Sequence, residues 1–203
     1  MNSKYEKLFT ALKYYLLGHN YLLALKALQF ARSYHSGTRK DGSTPEFQHQ
    51  LEICHFILTL KNLENEELTI VCALLHDVME DYNIPVQTME SEFSPEVCSI
   101  VLRLSKVYQG SKKSMPTYFD EISSCPIASI VKGSDRIHNL QSMVGVFSKE
   151  KQKDYISEVK TYFLPMIKAA SYSHPKQSMA YFNIKHMLKS QIELIEAIHN
   201  QNP

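Results

Sequence analysis

One stretch concentrates groups able to do chemistry: Val71-Cys72-Ala73-Leu74-Leu75-His76-Asp77-Val78-Met79-Glu80-Asp81. An apolar run ends in an imidazole and three carboxylates, and isolated ionisable groups are costly to bury in such surroundings. Imidazole plus carboxylate is a ligand set for a divalent transition metal. Read as one unbroken helix, the segment stacks His76 over Glu80 and Asp77 over Asp81. Each pair stands at i and i+4, and the two stripes lie about 100° apart, so all four groups converge on one pocket. The competing reading is a polar helix end capped by its own charges. The apolar run leading in, and the second acidic pair one turn on, favour the metal.

A metal needs more than two protein ligands, and two further segments offer them. Thr44-Pro45-Glu46-Phe47-Gln48-His49-Gln50-Leu51 places His49 at the start of the next helix. Ile130-Val131-Lys132-Gly133-Ser134-Asp135-Arg136-Ile137-His138-Asn139-Leu140 places Asp135 late in a helical apolar run, with Asn139 one turn beyond on the same face. Taken alone, each is weak, because a single histidine is usually structural and an Asp beside Arg is usually an ion pair. His35 reads as a hydrogen-bonding structural histidine. His55 falls off the His49 face, and His138, three residues past Asp135, could reach the pocket rim. His19, His174, His186 and His199 read as surface groups.

Taken in order, His49, His76-Asp77 and Asp135 resemble the H…HD…D metal set of the HD superfamily. Within it, Phe30-Ala31-Arg32-Ser33-Tyr34-His35-Ser36-Gly37-Thr38-Arg39-Lys40 resembles the "FA…H.gq.RK" segment of the RelA/SpoT-type hydrolase domain. His76 to Asp81 resembles its "HDv.ED", Leu104-Ser105-Lys106 sits where it has "vTK", and Asp135 to Asn139 resembles its "DRlhN". The four motifs span about residues 20–145 and are specific as an ordered set.

The resemblance implies that His49, His76, Asp77 and Asp135 hold one metal ion, Mn²⁺ in this family. On ligand grounds Fe²⁺, Co²⁺, Ni²⁺ or Zn²⁺ would also bind. It implies that Glu80 and Asp81 position the attacking water and accept its proton. Arg39 and Lys40 would surround the nucleotide base, arginine by stacking on a purine ring and lysine as a point charge toward phosphate. Asn139 would contact sugar or phosphate. Lys106, Lys132 and Arg136 are further phosphate contacts, although Arg136 could equally pair with a carboxylate of the metal site. The implied activity is removal of the 3′-pyrophosphate from (p)ppGpp or (p)ppApp. The alternatives are another HD phosphohydrolase, such as a nucleotidase, and a nucleotide-binding module without turnover. The chain departs from the family at Thr38, Glu46, Gln50, Tyr82 and Ser105, where Gln, Tyr, Pro, Thr and Thr are usual. Glu46 adds negative charge beside the base-binding loop, which leaves guanine and adenine both open.

The elements that position these residues are helical. Tyr21, Ala24, Leu25, Leu28 and Ala31 share a face, as do Val97, Ile100, Val101, Leu104 and Val107, and later Ile184, Met187, Leu188, Ile192, Ile195 and Ile198. No period-2 run is long enough to argue a sheet. Gly37 to Pro45 reads as an ordered loop, Asn62 to Glu66 as a second, and Gly110 to Pro116 as a mobile basic one. Asn83-Ile84-Pro85 ends a helix, Ser94-Pro95 starts one, and Ser173 to Lys176 separates the last two. The expectation is an all-α, single-domain HD-type bundle of eight to ten helices over residues 1–203. Its motif-bearing core covers about 20–145 and its C-terminal helices about 150–200.

The 203 residues carry 22 basic and 21 acidic side chains. That balance gives no global pull toward nucleic acid or an anionic membrane. Cys54, Cys72, Cys98 and Cys125 lie in or beside apolar runs without a C-x-x-C pair, so they read as reduced thiols rather than a zinc site. The polar N-terminus reads as neither signal peptide nor span, which points to the cytoplasm. The expected partner is a small-molecule nucleotide, with no room in 203 residues for a synthetase domain. Oligomeric state stays open.

Overall fold

The computed structural model describes residues 3–201, and helices supply nearly all of its regular structure. In chain order they are α1 (Ser3–Gly18), α2 (Leu22–Tyr34), α3 (Gln48–Ile57), α4 (Glu66–Leu75), α5 (Val78–Tyr82), α6 (Val86–Glu92), α7 (Pro95–Leu104), α8 (Met115–Ser123), α9 (Pro126–Met143), α10 (Lys149–Glu158), α11 (Leu164–Ser173) and α12 (Ser178–Gln201). Ten of these run nine residues or more, within the expected range; α5 and α6 are shorter, at 5 and 7 residues. A π-helical turn, Val159–Phe163, joins α10 to α11. A hairpin of two-residue strands, β1 (Val107–Tyr108) and β2 (Ser111–Lys112), pairs antiparallel with Val107 opposite Lys112. The stretch expected to be mobile, Gly110 to Pro116, therefore contains β2 and the first two residues of α8. Two residues per strand are too few to show period-2 alternation in a sequence.

Side-chain caps fix several helix starts. The Ser94 hydroxyl accepts from the Val97 amide at 3.2 Å, with Pro95 next to it, as the sequence suggests. Asn65, Ser114 and Ser148 cap α4, α8 and α10 in the same way. Asn83, at φ 51°, ends α5 in the left-handed region before Ile84-Pro85.

Helix α4 is the centre of the fold. Every residue from Leu68 to Leu75 is buried, and the helix packs against α2, α3, α7 and α9. A helix apolar on all sides is stable only when surrounded in this way. Helix α9 is the second axis and packs on α3, α4, α7, α8, α11 and α12. Gly133 lets α9 approach α12: a Cβ there would stand 2.8 Å from Ile184 Cγ2 and 3.1 Å from Ile167 Cδ1. The fully buried Tyr181 of α12 meets Ser129 Oγ of α9 at 2.8 Å. The C-terminal helices thus buttress the helix that carries Asp135. The cysteines are free thiols, three buried and Cys125 half-buried. No helix among the described residues is long and apolar enough to cross a membrane.

Candidate metal centre and its cleft

Helix α4 stops at Leu75, and His76-Asp77 form a turn before α5. The unbroken helix expected over residues 71–81 is therefore interrupted, and His76 and Glu80 do not share a stripe on one helix. The cause is local. His76 Nδ1 lies 2.8 Å from the Ala73 carbonyl, so a side chain takes an acceptor that a continuing helix would use for a backbone amide. Asp77 becomes the N-cap residue of α5, and the Asp81 amide donates to its carbonyl at 2.8 Å. The Asp77–Asp81 relation thus survives the break.

The turn brings the expected groups together with their distant partners. Ligand atoms of His49, His76 and Asp77 lie within 4.8 Å of one another. Asp135 Oδ1 stands 3.2 Å from His49 Nε2 and 3.9 Å from His76 Nε2. His76 Nε2 is 2.9 Å from Asp77 Oδ2 but is misaligned for a hydrogen bond, and this buried atom has no hydrogen-bond partner. A carbonyl only accepts, so Nδ1 carries a proton and Nε2 is the nitrogen that faces the carboxylates. Two carboxylates around this buried nitrogen call for positive charge between them, which a bound cation or a proton on the ring supplies. The donor set therefore fits a divalent cation on chemistry as well as on distance.

Electrostatics carry the same sign. Burial acts to lower the His76 pKa, yet the Asp77 and Asp135 carboxylates outweigh it and push it up to about 9. His49 goes the other way: burial dominates and lowers it to about 4 despite Asp135. Burial acts to raise Asp77, but His76 holds it down at about 2.

Neighbours on α9 hold Asp135 from both sides. Asn139 Nδ2 donates to its Oδ1 at 2.6 Å, and Lys132 Nζ stands 3.0 Å from its Oδ2. The pair Glu80 and Asp81 flanks the cluster. Glu80 Oε2 accepts from the Lys106 amide at 2.8 Å, and the Lys106 carbonyl accepts from Lys113 across the β1–β2 hairpin. The hairpin thus fixes one of the two carboxylates. Burial, with Asp77 and Glu80 nearby, raises Asp81 to about 6. That carboxyl is ionised at neutral pH and basic enough to take a proton.

The expected ordered loop closes through Arg39 N to Thr44 O and Glu46 N to Gly37 O, with Asp41 accepting from the Ser43 and Thr44 amides. This aims Arg39 at α9, where its guanidinium donates to Asn139 Oδ1 and Ser142 Oγ at 3.4 Å. Lys40 Nζ sits over the Phe147 ring. Arg39, Lys40, Lys106, Lys132 and Asn139 line one cleft of about 1100 Å³ with His49, Asp77, Glu80, Asp81 and Asp135. Arg136 also borders it, but its guanidinium pairs with Glu158 at 2.7 Å and packs on Tyr155 and Phe163, so it does not pair with the metal-site carboxylates.

His35 is buried among Gln50, Tyr82 and Glu46, as a structural histidine should be. His19 and His186 are exposed, whereas His174 and His199 are half-buried, near Glu64 and on Gln152. His138 lines the cleft, as the sequence allowed, but it is only 8% exposed and touches His49 and Glu52. Glu52 escaped the sequence reading. Its signal was its place one turn beyond His49.

Fold and site define an all-helical domain whose His/Asp cluster, drawn from α3, the α4–α5 turn and α9, suits one divalent cation. The chain belongs to the HD domain family, whose profile matches residues 27–170. It is 29% identical over 155 residues to the GTP pyrophosphokinase rsh of Brucella ovis, covering 72% of this chain and 20% of that protein. It is 25% identical to the guanosine-3′,5′-bis(diphosphate) 3′-pyrophosphohydrolase of Aquifex aeolicus, over 84% of this chain and 25% of that one. With the bifunctional (p)ppGpp synthase/hydrolase SpoT of Escherichia coli the identity is 23%, over 85% and 25%. The chain thus spans a fifth to a quarter of the length of these curated relatives. A solved structure of a metazoan ortholog of SpoT that hydrolyzes ppGpp superposes with a TM-score of 0.65, at 20% identity, over 83% of this chain and 95% of that one. It shares the fold.

Proposed function

We propose that this chain is a divalent-metal-dependent pyrophosphohydrolase that removes the 3′-pyrophosphate of (p)ppGpp- or (p)ppApp-type alarmones. The observation that carries the proposal is the buried, unpartnered Nε2 of His76 among two carboxylates and a second imidazole, directly behind a cleft lined by His49, Asp77, Glu80, Asp81, Arg39 and Lys40. The names of the relatives from Aquifex aeolicus and Escherichia coli support the substrate class.

His49, His76, Asp77 and Asp135 would hold the cation, and Mn²⁺ suits this nitrogen and oxygen set. When bound, the cation supplies positive charge to the phosphoryl oxygens and makes its water more acidic. Glu80, pinned by the Lys106 amide, orients the attacking water. Asp81 takes the water proton. The water oxygen bonds to the phosphorus carried by the 3′-oxygen, the bond from that phosphorus to the 3′-oxygen breaks, and the 3′-oxygen takes a proton from solvent and leaves as a hydroxyl, while Asp81 releases its proton to solvent. Arg39 and Lys40 receive the base, and Asn139, Lys106 and Lys132 the sugar and phosphates. The ligand is thus a small nucleotide, with neither nucleic acid nor membrane required.

Incubation with Mn²⁺ and a nucleotide panel tests this. Pyrophosphate release from ppGpp or ppApp is expected. Orthophosphate from nucleoside monophosphates alone would make the chain a nucleotidase. Tight alarmone binding without turnover under any divalent metal would make it a binding module.

A further inference from the structure

Both nitrogens of the His49 ring are engaged by α9. Asp135 approaches Nε2, and His138, three residues on, stands 2.7 Å from Nδ1 through its own Nδ1. The far nitrogen of His138, Nε2, meets Glu52 Oε2. Glu52 lies on α3, one turn beyond His49, and its other oxygen accepts from Gln48 Nε2 at 3.0 Å and pairs with Lys4 at 2.6 Å. The chain of contacts leaves α3, crosses to α9 and returns to α3. His49 and His138 are 5% and 8% exposed, so water competes little for these bonds.

The direction of these bonds follows from the Glu52 end, because His49 Nε2 stands 3.2 Å from Asp135 without a hydrogen bond between them. A carboxylate is acceptor only, so the proton between His138 and Glu52 belongs to His138 Nε2. A neutral His138 ring then has a lone pair at Nδ1, and the proton in the imidazole–imidazole bond belongs to His49 Nδ1. This leaves His49 Nε2 as a lone pair, on the side of His76 and Asp135. From this geometry we infer that His138 and Glu52 are positioning residues for the metal centre. They lock His49 into the tautomer that presents Nε2 to the cation and increase the electron density it donates. The inference rests on His49 being a ligand, as proposed above. Outer hydrogen bonds of this kind commonly change metal affinity ~10- to 100-fold.

The experiment measures Mn²⁺ affinity by titration for wild type, His138→Leu, His138→Asn and His76→Ala, each checked for folding by circular dichroism. It also reads the ring-nitrogen shifts of the Zn²⁺-loaded wild type by ¹⁵N NMR. Asn can place an acceptor where His138 Nδ1 sits, whereas Leu leaves the His49 N–H buried without a partner. His138→Leu is expected to weaken binding ~10- to 100-fold, and His138→Asn to stay within a few-fold of wild type. In the loaded protein His49 should carry its proton on Nδ1 and His138 on Nε2. Equal affinity in wild type and His138→Leu, or a proton on His138 Nδ1 in the loaded protein, overturns the inference. The NMR reading stands even if His138→Leu does not fold. Wild type and His76→Ala binding alike would instead sink the metal site itself, so the two failures are told apart.

Discussion

Gly133→Ala is the sharpest test of how the fold places the site. The added Cβ would lie 2.8 Å from Ile184 Cγ2 and 3.1 Å from Ile167 Cδ1, both in side chains at most 1% exposed. The Ile184 methyl sits on a β-branched carbon with one strongly preferred rotamer in a helix, so it yields only if α12 moves. Overpacking costs ~1–3 kcal/mol, and a 2.8 Å approach that cannot relax falls in the upper part of that range, ~2–3 kcal/mol; the gain in helix propensity of Ala over Gly returns ~1 kcal/mol. A net loss of ~1–2 kcal/mol follows, and for a domain near 200 residues each kcal/mol lowers Tm by ~2–4 °C. Thermal melts of the metal-free protein should therefore show a drop of roughly 2–8 °C. In an Ile184→Ala background the same change should be milder, with a coupling of at least ~1 kcal/mol. Asp135 lies two residues on, so weaker cation binding should accompany the loss. A Gly133→Ala protein as stable as wild type, or strict additivity with Ile184→Ala, would refute the close-approach reasoning.

Glu80→Gln should lower kcat ~10²- to 10⁴-fold while leaving alarmone affinity nearly intact, read by pyrophosphate release and by equilibrium binding. Arg39→Ala should act mainly on KM, because Arg39 faces Asn139 at 3.4 Å and not the metal cluster. Mn²⁺ at ~100 times its Kd should stabilise the folded chain by ~2.7 kcal/mol, seen as a Tm increase that a chelator reverses. Ser94→Ala, which removes the cap on the Val97 amide, should cost ~1 kcal/mol in a melt and leave turnover unchanged.

What could be read from the sequence was what is local. The Ser94-Pro95 start and the Asn83-Ile84-Pro85 stop depend on neighbours only, and both appear as expected. The helical faces of α2, α7 and α12 were visible because burial repeats every three or four residues, although Val107, counted with the α7 face, lies in β1 beyond the end of that helix at Leu104. The convergence of His49 and Asp135 on His76 is a matter of tertiary packing, and only the ordered motifs pointed to it. The break at His76-Asp77 was hidden because the apolar period runs through it and the cause is a single side-chain bond to Ala73. His138 was underrated because His49 and Glu52 lie 89 and 86 positions away. Gly133 was unremarked because the reason for it stands on α12. The hairpin that holds Glu80 through Lys106 was invisible in four strand residues.

The most direct measurement is the divalent-metal content of the purified chain by elemental analysis, for wild type, His76→Ala and Asp135→Ala, each shown to be folded. One ion per chain in wild type, and none held stoichiometrically by either variant, is expected from four side chains closing on a single cation. Equal metal content in all three would contradict it.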